Sequence, residues 1–237
     1  MTWHGDPKDS PDGRQLLTVA HRAANDVATL SAALSANVDL VEADVRFFKG
    51  TPEIRHTKTL GSKLLWEPGE LIRREGLAIP TLTEVLTSLP NDRHRLMLDL
   101  KGFRPGLGPA VAAVLKQHAP DLPVTVCTPH WWMFKAFADT PHIRTVLSAG
   151  SWPMVERLRA LLNKGQAEWP NQRPIFGCSV HRTLLTPEIV AELRRHVEHV
   201  ITWPVDTAND VADARRLGVT GVTGKDLALL QSLHSNH

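Results

Sequence analysis

Residues 40–60 read LVEADVRFFKGTPEIRHTKTL. Leu40, Val41 and Val45 make the first part a strand that belongs in a core, yet Glu42 and Asp44 stand two positions apart within it. Side chains at i and i+2 of a strand share a face, so the two carboxylates lie side by side where burial is expected. Buried acids must be paired or must bind something.

Outward from this stretch, short runs rich in Val, Ile and Leu alternate with amphipathic segments of helical length, from Leu16 almost to the end of the 237 residues. That alternation is the signature of repeated βα units and a parallel sheet. Strands are expected at 16–20, 39–45, 95–100, 123–127, 144–148, 175–180, 199–205 and 219–223. Helices are expected at 27–36, 81–88, 107–118, 131–138, 152–163, 187–197, 208–216 and 226–233. Thr186-Pro187 reads as an N-cap with a first-turn proline, and Thr81 with Glu84 as a capping box. Eight strands close a barrel, so the expected fold class is α/β, a single (β/α)8 TIM-barrel domain with its core at about 16–230. Residues 57–78 fit no βα unit and hold Gly61, Pro68, Gly69 and Gly76, which marks a small insertion after the second strand. Trp66 reads as that insertion's hydrophobic anchor.

Composition excludes several classes. A chain 42% hydrophobic and 22% charged is an ordinary globular one, and a net charge of +2 without a basic run is too mild for a nucleic-acid partner. Cys127 and Cys178 fall in separate apolar strands and read as plain buried thiols. The start, MTWHGDPKDSPDGRQ, has no apolar leader, and no run approaches the ~20 apolar residues of a membrane span. The expectation is a cytoplasmic protein with no transmembrane segment, and the missing leader weighs against a secreted or membrane-surface role.

Barrel sites collect at the C-terminal ends of the strands. There the sequence puts His21 and Arg22 after strand one, Glu42 and Asp44 on strand two, His56 after the extended piece PEIRH, and Asp99 and Lys101 on one face at the end of strand three. Three carboxylates suit a hard divalent cation such as Mg²⁺ or Ca²⁺ and would repel one another without one. Arg22 and Lys101 suit an anion, phosphate above all, and two histidines can divide the base and acid roles in displacement at phosphorus. The set points to phosphodiester cleavage of a small-molecule substrate. Burial in structural ion pairs with Arg22, Arg46 or Lys101 is the other reading of Glu42 and Asp44, and Asn25 reads equally as a helix N-cap or a site residue. Trp131, Trp132 and His130 are placed to line a pocket or to pack a helix, and His181 could contact substrate.

VAHRAAN, VEADV, PEIRHTKTL, IPTLTEVL, MLDLKG and VITWPVD followed by LGVTGVT, in this order, resemble the glycerophosphodiester phosphodiesterase family over about 16–230. The resemblance implies His21 and His56 as the catalytic pair, Glu42, Asp44 and Asp99 as metal ligands, Arg22 and Lys101 as phosphate-binding residues, and Trp203 as a wall of the substrate pocket. It implies a phosphoric diester hydrolase of lipid metabolism that releases an alcohol and glycerol phosphate. Alternatives are a phosphodiesterase for another head group or a lysophospholipid, phospholipase D-like, and a catalytically quiet phosphate-binding barrel. The chain departs from the family pattern at Ala23, at Ala24-Asn25, at Thr57, at Asp99 in place of Glu, and at Gly224 in place of an aspartate.

Overall fold

Alternation along β2 (Leu40–Phe48) assigns each of its residues to one side of a barrel wall. Val41, Ala43 and Val45 face outward and join the core under the helices. Leu40 faces inward and packs in a second cluster with Leu17, Val19, Met97, Cys127, Val146 and Ile201. Glu42 and Asp44 share the face of Leu40, so they point into the barrel interior, above an apolar floor.

The computed structural model describes residues 15–89, 93–165 and 175–234; the N-terminal stretch to Arg14 that was read for a leader lies outside the described residues. Around β2 stand β1 (Leu17–Ala20), β7 (Leu96–Leu100), β8 (Thr125–Thr128), β9 (Arg144–Ala149), β10 (Gly177–His181), β11 (His199–Trp203) and β12 (Gly221–Gly224). They follow the order β1-β12-β11-β10-β9-β8-β7-β2, every pairing is parallel, and β1 pairs with β2 to close the eight-stranded barrel. Helices α1 (Val27–Ser35), α2 (Leu82–Ser88), α3 (Leu107–His118), α4 (Trp152–Asn163), α5 (Pro187–Leu193), α6 (Ala208–Leu217) and α7 (Leu227–Ser232) cover its outside. Thr81 and Glu84 form the expected capping box, and Thr186 caps α5 ahead of Pro187. Among the described residues no helix is long and apolar enough to cross a membrane.

Two elements differ from the sequence pattern. The helix expected at 131–138 is a 3-10 helix, Trp131–Phe137. Three of its four buried side chains, Trp131, Phe134 and Phe137, recur every third residue, which a three-residue turn keeps on one face, while Met133 is buried beside them. The helix expected at 187–197 ends at Leu193.

The extended piece after β2 is β3 (Thr51–Ile54), which folds back antiparallel on it through Lys49 and Gly50, both at positive φ. A two-residue hairpin turn of that hand requires this conformation. The insertion then forms a second sheet of β4 (Lys58–Leu60), β5 (Leu64–Glu67) and β6 (Glu70–Arg73), all antiparallel. Leu65, only 2% exposed, is its anchor; Trp66 points outward instead, because neighbours in a strand face opposite ways.

Gly224 ends β12 where its carbonyl accepts the His21 backbone N–H at 2.8 Å, and a Cβ there would overlap the Val205 carbonyl oxygen. Gly224→Ala is therefore expected to lower unfolding free energy by about 1–3 kcal/mol, the usual cost of overpacking. Urea unfolding measures it; an unchanged midpoint would show that the β11 and β12 ends are not in such close contact.

Candidate active site

Strands β2 and β7 pair with Asp44 directly beside Asp99 and Glu42 beside Met97. That register, with the period of two, brings ligand oxygens of Glu42, Asp44 and Asp99 within 4.8 Å of one another. Glu42 and Asp99 line a cavity of about 510 Å³ at the C-terminal mouth together with His21, Arg22, His56, Lys101 and Trp203, and Asp44 lies against them. The eight residues expected at a site are thus brought together, and Asp99 reaches the cluster despite its shorter side chain.

Cations partly answer the three carboxylates. Lys101 Nζ contacts Asp99 and lies 3.2 Å from Asp44 Oδ1, and Arg22 Nε lies 3.4 Å from Asp44 Oδ2. The backbone N–H of Arg22, held in the left-handed region at φ 57°, donates to Glu42 at 2.7 Å. The ion-pair reading of Arg22 is therefore met, and Asp44 Oδ1 has the Lys101 ammonium for a neighbour, yet the buried Asp99 Oδ1 makes no hydrogen bond. A buried carboxylate oxygen left in this way, on one of three converging acids, fits a divalent cation.

The electrostatics follow from burial. Desolvation, then repulsion from Asp44 and Asp99, raises Glu42 to about 8. Burial also raises Asp99, with Lys101 opposing it. For Asp44 burial works upward too, but Lys101 and the Asn25 hydrogen bond outweigh it and the carboxyl falls below its ordinary range. Lys101 is raised because the acids overcome its own desolvation.

Burial and then the Arg22 charge lower His21 to about 4, so its ring is neutral at neutral pH; Nε2 lies 3.7 Å from Glu42. Burial lowers His56 as well, opposed by Asp44. Its Nδ1 contacts Glu67 at 2.6 Å, while Arg46 Nε donates to its backbone carbonyl at 2.8 Å.

Glu67, on the insertion strand β5, was not legible as a site residue, because nothing local in the sequence ties residue 67 to His56. Asn25 was open between two roles. The structure gives the helix cap to Asp26, whose side chain accepts from Thr29 N–H, and turns Asn25 onto Asp44: the amide donates to Oδ2 and its carbonyl accepts the Asp44 N–H, both at 2.9 Å. Trp203 lines the cavity with its ring edge-on to His181 at 4.8 Å. Trp131 is buried and donates to the Ser148 carbonyl, which makes it a packing residue, while Trp132 meets Phe103 and His130 also meets Phe103 at the rim. Cys127 and Cys178 are free buried thiols.

No family model matches the chain, and no curated protein does. Solved structures do. A Silicibacter pomeroyi protein assigned as a glycerophosphoryl diester phosphodiesterase superposes with a TM-score of 0.74 at 17% identity, over 97% of this chain and 94% of that one. An Oleispira antarctica phosphodiesterase in complex with the product sn-glycerol-3-phosphate gives 0.71 at 19%, over 94% and 98%. A glycerophosphodiester phosphodiesterase from Thermotoga maritima gives 0.68 at 15%, over 93% and 99%. What these proteins share with this chain is the whole barrel fold.

Glu42 generates a pH dependence of stability. A carboxyl raised from 4.5 to about 8 on folding binds more protons folded than unfolded in that window, so its contribution is full below 4.5 and is lost as pH rises through 8. With EDTA present, Glu42→Gln is expected to gain about 2 kcal/mol on the parent between about pH 6.5 and about pH 8.5. Chemical denaturation at both pH values measures it; a constant difference would mean that Glu42 titrates in its ordinary range.

Proposed function

We propose that this chain is a phosphoric diester hydrolase that splits glycerophosphodiesters into an alcohol and glycerol phosphate, with Mg²⁺ or Ca²⁺ held by Glu42, Asp44 and Asp99. The observation that carries the reading is the meeting of two imidazoles, three carboxylates and two cationic side chains at one cavity. The shared barrel of the structures above, one of them holding sn-glycerol-3-phosphate, supports it. When bound, the cation supplies positive charge to the phosphate and to the charge that develops in displacement.

The chain's own residues divide the remaining work. Arg22 presents a guanidinium to the phosphoryl oxygens, and Lys101 adds charge from the cavity floor while it keeps Asp44 and Asp99 apart from each other's field. Asn25 fixes the Asp44 carboxylate in one orientation. His21, neutral and with Glu42 as its neighbour, takes a proton from the water whose oxygen bonds to phosphorus as the bond to the alcohol oxygen breaks. His56 hands a proton to the leaving alcohol from Nε2, since Glu67 engages Nδ1 and offsets part of the lowering that burial brings. Trp203 forms a wall for the glycerol moiety.

The test is hydrolysis of glycerophosphocholine, glycerophosphoethanolamine and bis(p-nitrophenyl) phosphate with Mg²⁺, Ca²⁺, Mn²⁺ or EDTA. Turnover is expected with a divalent ion and not with EDTA, and His21→Ala and His56→Ala are each expected to lower kcat by about 10²–10⁴, the span of general acid–base catalysis. Absence of cleavage with every ion, alongside a rise in Tm with inorganic phosphate, would replace the hydrolase with a phosphate-binding barrel.

A further inference from the structure

The insertion sheet is amphipathic the wrong way round. Its register puts Lys58 opposite Trp66, Trp66 opposite Leu71, Leu60 opposite Leu64 and Leu64 opposite Arg73, so these six side chains share one face. The other face holds buried Leu65, along with Thr59 bonded to Arg55 and Glu67 bonded to His56, and is therefore the face turned to the barrel. The outward face thus shows Leu60 at 52%, Trp66 at 38% and Leu71 at 56% exposure, where a soluble sheet places polar side chains. Its two charges, exposed Lys58 and Arg73, are both positive, and Lys58 Nζ lies over the Trp66 ring at 4.7 Å.

The other large hydrophobic side chains exposed among the described residues are Leu77, Phe103, Trp152 and Val27. Leu77 leads from the insertion toward α2, Phe103 follows β7, Trp152 opens α4 and Val27 opens α1, so all of them lie at C-terminal strand ends, on the side of the catalytic cavity. Exposed apolar surface confined to one end of a barrel marks a contact surface. Aromatic and leucine side chains with cations among them, and no acid in the outward row of the insertion, match the boundary of an anionic lipid layer.

We infer that the mouth of the barrel, led by the outward face of the insertion sheet, docks on anionic phospholipid surfaces. Leu60, Trp66 and Leu71 enter the layer, Lys58 and Arg73 meet the head-group phosphates, and the cavity opens toward the lipid. The inference stands apart from the hydrolase reading, since it concerns binding and not turnover.

Flotation of the full chain with vesicles of phosphatidylcholine alone, and of phosphatidylcholine mixed with phosphatidylglycerol, tests it at low and at high salt. The parent protein is expected to float with the anionic vesicles at low salt and to be released by high salt. Trp66→Ser with Leu71→Ser, and separately Lys58→Glu with Arg73→Glu, are each expected to weaken binding by about tenfold or more. Circular dichroism confirms that each variant is folded, and the charge-reversed pair, which leaves the apolar row intact, carries the test if the apolar pair is not. Parent protein that stays in the aqueous fraction at low salt overturns the proposal, as does binding that neither pair of substitutions weakens. A parent that is dimeric, does not float and becomes monomeric on Trp66→Ser and Leu71→Ser would instead make this face a contact between copies of the chain.

Discussion

Three carboxylates converge in the interior of this barrel, and the pairing of β2 with β7 is the constraint that puts them there. With Asp44 beside Asp99, a slip of one residue would turn acids out among the helices and bring Val41, Ala43 and Val45 of β2, or Leu98 and Leu100 of β7, to the inside. The neighbouring polar groups answer to that cluster. Lys101 and Arg22 lie against it, Asn25 spends both of its amide groups on Asp44, and the Arg22 backbone adopts a left-handed conformation while its N–H meets Glu42. A barrel that needed only stability would fill these positions with branched aliphatics, as it does one layer below at Leu17, Leu40 and Ile201.

Most of the barrel was legible because a buried parallel strand and an amphipathic helix leave different periods, and among the described residues the eight barrel strands alternate along the chain with seven α-helices and, between β8 and β9, one 3-10 helix. The acids were legible for the complementary reason: Glu42 and Asp44 break a core pattern twice on one face. What escaped was whatever depends on distance in space. Residues 131–138 look helical, but whether their winding is α or 3-10 is settled by packing of Trp131, Phe134 and Phe137. The insertion looked like loop, since strands of three or four residues leave too short an alternation to read, and Trp66 was taken as an anchor because an aromatic in a loop usually is one. Glu67 was invisible for the same reason, as only the folded sheet carries it to His56.

The insertion joins these strands of argument. One face of β5 delivers Glu67 to an imidazole of the site and seats Leu65, while the other turns Trp66 to the outside with Lys58 above it. The three-stranded sheet is held by the barrel on one side and left apolar and basic on the other. Next to Thr57, Glu67 supplies a carboxylate to His56, and at Gly224 close contact with Val205 leaves no room for a side chain. Asp99, one methylene short, still meets Asp44 because the strand register brings it there.

The central claim is that Glu42, Asp44 and Asp99 form a divalent-cation site. Isothermal titration calorimetry of the EDTA-treated, dialysed protein with Mg²⁺, Ca²⁺ and Mn²⁺, beside Asp44→Asn, tests it without recourse to any substrate. One ion per chain, lost in Asp44→Asn while the variant keeps its fold, is the expected result. No binding of any of the three ions, or binding that Asp44→Asn leaves unchanged, would contradict it and return the acids to the role of partners for Lys101 and Arg22.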